Sequence, residues 1–155
     1  MECEYIEVKD LRSSVYDPVN LYIFDSVSDI LAVLRSEGFT EPTFHNPATL
    51  RGRKPDFVLA KPVVSIGPID RIIGEVARYH LRLWLIEAEQ GVFGNAHVDI
   101  PTPVGHAANH DWGRAIIVEV FLRHGYWAKY ERCDNPRGFD GYVAKIFKKP
   151  HNIEL

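Results

Sequence analysis

Histidines are concentrated in one part of this 155-residue chain. Five of the seven lie between positions 80 and 124. The segment AHVDIPTPVGHAANHDW within this region carries, in order, His97, Asp99, His106, His110 and Asp111. Neutral histidine accepts a proton near physiological pH and is a common metal ligand, and a nearby carboxylate orients its ring. The density of these residues therefore indicates a site for proton transfer or metal ligation.

Strand-like alternation predicts which of these side chains share a surface. In VFGNAHVDI, His97 and Asp99 fall on the same face of an extended strand, and in RYHLRLWLI, His80 and Arg82 fall on the polar side. The linking residues 87–91 are polar and end in glycine, which favours an antiparallel hairpin. If the apolar sides share one core, His80, Arg82, His97 and Asp99 line the opposite face. Directly opposed Cβ atoms would then lie about 4.5–5.5 Å apart.

This face supports three interpretations that the spacing leaves open. His97 and Asp99 could bind a divalent metal ion, with His106 or His110 from the following loop completing an open site. Without a metal, His97, Asp99 and His80 could form an acid–base site, or the cluster could hold an anion. The third interpretation is structural, with His97 hydrogen-bonded to Asp99 or to a cross-strand partner. The motifs HExxH and paired CxxC are absent, so the pattern does not name the metal or the reaction.

Arg114 is predicted to need an anionic partner. It falls in the first turn of a helix that begins near Asp111, where the positive end of the helix dipole disfavours a cation by about 0.3–1 kcal/mol. Asp99 or Asp111 could supply the carboxylate. Alternatively, Arg114 and Arg82 together could hold a bound phosphate or carboxylate.

Composition limits the functional classes. With 46% hydrophobic residues, the chain is expected to form a single globular domain over residues 1–155. A formal net charge of −3 gives no electrostatic footprint for nucleic acid. The apolar runs are shorter than the roughly 18 residues of a transmembrane segment, and the N-terminus lacks an apolar signal core, so a cytoplasmic location is expected. Cys3 and Cys133 lack metal or redox spacing and are expected to be buried thiols.

The elements that must position the cluster can be read along the chain. ECEYIEVKD and NLYIFD are typical of strands, and SVSDILAVLRSEG is typical of a helix capped by Asp25 or Ser26 and ended by Gly38. Residues 40–55 carry three prolines and predict a long connection over an edge or a cleft. FVLAKPVV predicts an edge strand because Pro62 interrupts it. IDRIIGEV predicts a helical turn.

The second half of the chain completes the expected fold. PTPVGHAANH after the hairpin is predicted to be a loop, and DWGRAIIVEVFLRHG a second helix ended by Gly125. WAKYERC and GYVAKIFKK predict a closing hairpin. The expected class is therefore α+β: one domain with a mostly antiparallel sheet built from hairpins and two main helices.

Several segments together resemble a known family. YDPVNLYIF, the Gly-Phe of SEGF, RGRKPDFVLAKPV, RYHLRLW and the His/Asp-bearing segment before the second helix resemble the LssY C-terminal domain family, over residues 17–125. The family is functionally uncharacterised, and its members are often joined to membrane modules of DedA or lipid-phosphatase type. The resemblance implies a setting near membranes or phosphoesters. It also implies a His pair and an acidic stretch with an arginine before the second helix, a pattern that His106, His110, Asp111 and Arg114 approximate.

Three functional hypotheses follow. The first is a small His/Asp hydrolase, with or without a metal, that acts on a phosphoester and uses Arg82 and Arg114 to hold the anion. The second is a non-catalytic module that binds an anionic small molecule or a lipid headgroup. The third is a protein-interaction domain. The sequence does not indicate the substrate, the metal or the oligomeric state.

Overall fold

The computed structural model describes residues 1–10, 13–63, 77–102 and 105–149, and at positions 101, 105 and 106 it describes only the backbone. Within these ranges the chain forms ten strands and two helices. In chain order they are β1 (Tyr5–Lys9), β2 (Ser14–Pro18), β3 (Leu21–Phe24), α1 (Val27–Ser36), β4 (Ala48–Thr49), β5 (Phe57–Pro62), β6 (Arg78–Leu85), β7 (Val92–Thr102), β8 (Gly105–Asn109), α2 (His110–Arg123), β9 (Tyr126–Arg132) and β10 (Tyr142–Lys148). The helical turn predicted for IDRIIGEV lies outside the described residues.

The strands form two sheets. The larger has seven strands in the order β5-β6-β7-β3-β10-β9, with β8 paired to the end of β7. Every pair in this sheet is antiparallel except β3 with β10. The smaller sheet has the order β2-β1-β4 and is antiparallel throughout. The predicted α+β class, with a mostly antiparallel sheet and two main helices, is confirmed.

The two helices cover one face of the large sheet. The Ser26 side chain accepts a hydrogen bond from the Asp29 amide at the start of α1, and Asn109 caps α2 in the same way through Trp112. Both helices bury an apolar stripe on this face. The main core joins them to six strands of the large sheet and includes Leu21, Ile23, Ile30, Leu34, Leu59, Leu81, Leu83, Ala96, Ile117, Phe121, Tyr126 and Ile146.

The small sheet covers part of the opposite face. Trp84 from β6 is buried there with Ile6 and Val8 from β1. Because side chains alternate along a strand, the residues of β6 and β7 that point away from the helices point toward this second layer. The polar residues of β6 and β7 that were singled out in the sequence therefore lie on the side of the small sheet.

The segment predicted to be a loop before α2 is instead a hairpin. Strand β7 continues to Thr102, and β8 runs back along it, with Ile100 opposite Ala107 and Pro101 opposite His106. The loop prediction was wrong because prolines and glycine dominate this segment, while the pairing with β7 depends on a partner strand. His110 consequently belongs to α2 rather than to a loop.

The two cysteines form a disulfide, so the prediction of buried free thiols was also wrong. Cys3 and Cys133 are bonded with their Cα atoms 4.9 Å apart, although 130 residues separate them in sequence. Glu2 and Asp134 pair as a parallel bridge beside the disulfide. No helix in the described residues is long and apolar enough to cross a membrane.

Candidate functional site

Strands β6 and β7 pair in the register that brings the predicted residues together. His80 lies opposite His97, Arg82 opposite Asn95, and Arg78 opposite Asp99. The rings of His80 and His97 stack, with centroids 5.2 Å apart and planes at 5°. The His80 Nε2 atom lies 3.9 Å from the Asp99 Oδ2 atom. The predicted hairpin and its shared polar face are confirmed.

Asp17 joins this face from the small sheet, and the sequence analysis did not identify it. It is 7% exposed, at the end of β2. Its Oδ2 accepts a hydrogen bond of 3.2 Å from Arg82, and its Oδ1 lies 3.6 Å from the Nε2 atom of His110. The signal that could have identified Asp17 is a carboxylate directly before the apolar PVNLYIF segment.

Asn95 is the centre of the hydrogen bonds in the cluster. Its Oδ1 lies 2.8 Å from His97 Nδ1, and its Nδ2 lies 3.1 Å from His110 Nδ1. The same Nδ2 donates to the carbonyl of Pro18 at 2.8 Å. Asn95 is 1% exposed and therefore fixes two histidines from within the protein interior. We define the histidine cluster as Asp17, His80, Arg82, Asn95, His97, Asp99 and His110.

Asn20 holds the strand that carries the cluster. One edge of β7 pairs with β3 at residues 92–94 and with β8 at residues 98–102. Between these two strands, the Asn20 side chain accepts from the Ala96 amide at 2.9 Å and donates to its carbonyl at 2.8 Å. Asn20 also donates to the His110 carbonyl at 3.0 Å. It thereby replaces a missing ladder partner and ties the start of α2 to β7.

Gly113 allows α2 to approach the strand closely. A Cβ atom at this position would lie 2.3 Å from the Cα atom of His97, which is far inside van der Waals contact. The first turn of α2 therefore rests directly on the backbone of β7. This contact places His110, at the first position of the helix, within reach of Asn95 and Asp17.

Burial governs the protonation of the cluster. Desolvation, followed by the neighbouring His80, Arg82 and His110, lowers the pKa of His97 well below its ordinary value. Desolvation also lowers the pKa of His110, although Asp17 opposes the shift. The pKa of Asp17 is raised by desolvation against the opposing effects of His110 and Arg82. Perturbed titration of several neighbouring groups is typical of functional sites, although structural networks also produce it.

The cluster opens toward solvent at one end. The side chains of Asp99 and His80 are 29% and 15% exposed, whereas those of Arg82 and His110 are 7% and 8% exposed. A ligand that enters from solvent would therefore meet His80 and Asp99 first. Arg82 retains one buried donor, its Nε–H, for which the described residues provide no hydrogen-bond partner.

Metal ligation by His97, Asp99, His106 and His110 receives no support from the described side chains. Among them, no group of three His, Cys, Asp or Glu residues is close enough to hold a metal ion. The backbone places His106 opposite Pro101, four residues along β7 from His97, or about 13 Å away. The side chain of His106 lies outside the described residues. The four-ligand set therefore stays a prediction.

Arg114 lies in a separate ion-pair network. It donates two hydrogen bonds to the carboxylate of Asp140, at 2.6 and 2.7 Å, and a third to the Tyr142 carbonyl at 2.6 Å. Asp111 lies 3.6 Å away, as one of the two predicted partners, whereas Asp99 pairs with His80. The prediction that Asp99 or Asp111 supplies a carboxylate to Arg114 is met by Asp111. Asp140, which lies 26 residues beyond Arg114, was not predicted and also offsets the unfavourable helix dipole.

A pocket of about 470 Å³ lies apart from the histidine cluster. Its walls come from residues 41–49 and 54–58, and none of the cluster residues lines it. The connection between residues 40 and 55, which the sequence predicts to cover an edge or a cleft, supplies most of these walls.

Comparisons of the chain with protein-family models, with curated proteins and with solved structures find no match. The resemblance to the LssY C-terminal domain family therefore stays a prediction that rests on the residues quoted above. The function must be argued from the histidine cluster itself.

Proposed function

We propose that the protein is a hydrolase that acts on a phosphoester, with His80 and His97 as its acid–base pair. The observation that carries this proposal is the stacked pair of imidazoles, in which His80 lies beside Asp99 at the solvent-facing end of the cluster and His97 is buried next to it. Phosphoester hydrolysis needs one group that removes a proton from water and another that protonates the leaving oxygen. Two histidines in different environments can perform these two tasks.

The two histidines differ in the way that such a reaction requires. Burial keeps His97 neutral, which leaves it free to accept the proton of the attacking water, although its lowered pKa makes it a weaker base than an ordinary histidine. His80 is more exposed and lies beside Asp99, whose negative charge would stabilise its protonated form. Water attacks phosphorus, its proton passes to His97, and His80 gives a proton to the departing oxygen. Between turnovers, His97 releases its proton to solvent and His80 takes up a proton from solvent.

Arg82 supports an anionic substrate. Its NH1 group pairs with Asp17, while its buried Nε–H group has no partner among the described residues. A phosphate oxygen would satisfy this donor and gain a charge-assisted hydrogen bond. Arg114 also has a buried Nε–H group without a partner among the described residues, but Asp140 and Tyr142 hold its terminal nitrogens outside the histidine cluster. Arg82 lies within the cluster and is therefore the arginine that we assign to the anion. The resemblance to a family often joined to lipid-phosphatase modules agrees with this substrate class.

The Nε–H group of Arg82, which has no partner among the described residues, also favours one alternative function, the binding of an anion without catalysis. If the cluster binds a phosphate or an anionic headgroup without turnover, Arg82 would still be required but His97 would not need to exchange protons. The protein would then be a non-catalytic anion-binding module. One form of the hydrolase hypothesis adds a divalent metal ion that is held partly by His106. Chelation of the protein, followed by addition of a metal ion, tests this form.

Turnover of generic phosphoesters tests the proposal. The purified protein is assayed with p-nitrophenyl phosphate and bis(p-nitrophenyl) phosphate, before and after treatment with a chelator and with Mg²⁺, Mn²⁺ or Zn²⁺ added back. We expect His97→Gln and His80→Gln each to lower kcat by about 10²–10⁴-fold, the usual contribution of general acid–base catalysis. The matched control is His124→Gln, because His124 pairs with Glu37 at the far end of α2.

The outcomes separate the functions. Turnover that is lost in His97→Gln and His80→Gln but kept in His124→Gln supports the hydrolase. Thermal stabilisation by inorganic phosphate that depends on Arg82, without turnover, replaces the hydrolase by the binding module. Neither turnover nor phosphate binding would overturn both proposals and favour the protein-interaction domain.

The cellular location is part of the proposal as well. A cytoplasmic location is expected from the sequence, but disulfides persist mainly in oxidising compartments. The Cys3–Cys133 bond therefore favours an oxidising compartment over the cytoplasm. Thiol titration of protein trapped with an alkylating reagent in its native host would decide between them.

A further inference from the structure

We infer that Asn95 is a positioning residue that fixes His97 and His110 in opposite tautomers, so that Nε2 of His97 carries the lone pair. This inference rests on the proposed function because it explains how His97 is prepared to accept a proton. It concerns Asn95, Asp17 and His110, which the acid–base reaction itself does not use. Its geometry is the chain of contacts from Asp17 through His110 and Asn95 to His97.

The orientation of the Asn95 amide follows from its backbone contact. The atom 2.8 Å from the Pro18 carbonyl must be a donor, because a carbonyl oxygen only accepts. That atom is therefore the amide nitrogen Nδ2, and the atom 2.8 Å from His97 Nδ1 is the amide oxygen. A flipped amide would place two oxygens in contact at Pro18, inside a buried site where such a contact is costly.

The amide orientation determines both rings. An amide oxygen only accepts, so His97 must carry its proton on Nδ1, and in the neutral ring Nε2 is then unprotonated. Asn95 Nδ2 only donates, so Nδ1 of His110 must accept, and His110 carries its proton on Nε2. That Nε2 faces the Asp17 carboxylate at 3.6 Å, where a proton is favourable. The contacts from Asp17 to His110, from His110 to Asn95 and from Asn95 to His97 are therefore all satisfied by one set of proton positions.

Asp17 sets the direction of this chain from the opposite end. Arg82 holds its Oδ2 and leaves Oδ1 facing His110. The carboxylate therefore favours the same His110 tautomer, Nε2–H, that the Asn95 amide requires. Asp17 and the donor side of Asn95 together orient His110, and the acceptor side of Asn95 orients His97.

Nitrogen-15 NMR of the imidazole rings tests this assignment directly. Protonated and unprotonated ring nitrogens have well-separated chemical shifts, so the spectrum of the full-length protein reports each tautomer without any substrate. We expect Nδ1–H for His97 and Nε2–H for His110. Nε2–H for His97, or averaged shifts that indicate exchange between tautomers, would overturn the inference.

Two substitutions at Asn95 separate positioning from simple packing. Asn95→Asp keeps an acceptor for His97, and its second oxygen must be protonated to donate to the Pro18 carbonyl as the amide does. That oxygen no longer donates to His110, so His97 is expected to retain Nδ1–H while Nδ1 of His110 gains a proton. Asn95→Ala removes both contacts, and both rings are expected to show averaged tautomers. The matched control is Asn109→Asp, because Asn109 caps α2 through Trp112 and an aspartate caps equally well. Its ring spectra are expected to match those of the unchanged protein.

Activity gives an independent readout of the same variants. Removal of an orienting hydrogen bond typically lowers activity by about 10–100-fold, which we expect for kcat in Asn95→Ala, with Asn95→Asp closer to the unchanged protein. If the tautomers are as assigned but no phosphoester is turned over, the positioning inference stands and the hydrolase fails. If turnover is present but His97 carries Nε2–H, the hydrolase stands and the inference fails.

Discussion

At the residue scale, the pairing of Asp17 with Arg82 is better explained by the orientation of His110 than by a gain in the stability of the fold. The two side chains are 11% and 7% exposed, and a buried ion pair often stabilises a fold no better than apolar residues of the same size. Their arrangement does have a consequence for the site, because Asp17 presents its second oxygen to His110. The cost of burying charge here is therefore linked to the orientation of the histidines.

The buried histidines make stability depend on pH. Because burial lowers the pKa of His97 and His110 in the folded protein, the unfolded chain binds protons first as the pH falls below about 6.5. The free energy of unfolding is expected to decrease by at most about 1.4 kcal/mol per pH unit for each such histidine. Asp17 acts in the opposite direction, since its raised pKa lets the folded state bind a proton before the unfolded chain does as the pH falls. Denaturant titrations at pH 7.5, 6.5 and 5.5 measure this slope.

Two variants show whether His97 is responsible. His97→Gln should reduce the slope by the share of one histidine, whereas His124→Gln leaves both buried histidines in place and should retain it. A free energy of unfolding that is constant between pH 7.5 and 5.5 would contradict the assignment of neutral, desolvated histidines.

The site could be predicted only where the sequence pattern is local. The alternation in β6 and β7 placed His80, Arg82, His97 and Asp99 on one face because strand periodicity depends on neighbouring residues alone. Asp17 could not be found in this way, since its contact with Arg82 spans 65 residues and joins two sheets. The same reason applies to Arg114, whose partner lies in the turn before β10.

At the element scale, the position of α2 against β7 decides the geometry of the cluster. The helix begins at His110, is capped by Asn109 and meets the strand at Gly113. A shift of the helix by one residue would remove His110 from Asn95. The glycine is therefore required by the close approach of two backbones and not by its φ angle.

Gly113→Ala tests this dependence. The added methyl group would lie 2.3 Å from the His97 Cα atom, and backbone yields less readily than a flexible side chain. We expect a loss of about 3 kcal/mol in the free energy of unfolding, the upper range for overpacking, although alanine favours helices. Thermal and chemical denaturation measure it. Ala115→Ser, on the exposed side of the same helix, is the control and should cost less than about 1 kcal/mol. A Gly113→Ala protein as stable as this control would contradict the close contact.

Elements with strong local signals were predicted, and those defined by a distant partner were not. Helix α1 was recognisable from its Ser26 cap and from Ile30 and Leu34, which are both buried. Strand β8 was missed because GHAAN has no strand alternation and is held in place by β7. The parallel pairing of β3 with β10 was not predicted either, since the two strands lie at opposite ends of the chain.

At the scale of the whole molecule, the site lies between the two sheets. Asp17 comes from the small sheet, and His80, Arg82 and His97 come from the large one. Any motion of one sheet relative to the other would therefore change the distance from Asp17 to Arg82 and His110. The disulfide between Cys3, next to β1, and Cys133, directly after β9, is a covalent link between these two layers.

The disulfide is expected to contribute strongly to stability. A bond that closes a loop of 130 residues restricts the unfolded chain, and the expected contribution is about 3–5 kcal/mol. Reduction should therefore lower the melting temperature, and the double variant Cys3→Ser/Cys133→Ser should show the lower value with or without reductant. These are the only two cysteines of the chain, so the unchanged protein, denatured without reductant, should show no free thiol in a thiol titration. Because the double variant has no disulfide, any change that reductant causes in its melting temperature measures side effects of the reductant. Two free thiols in protein purified under oxidising conditions, or a melting temperature that reductant does not change, would contradict a disulfide that holds the two layers together.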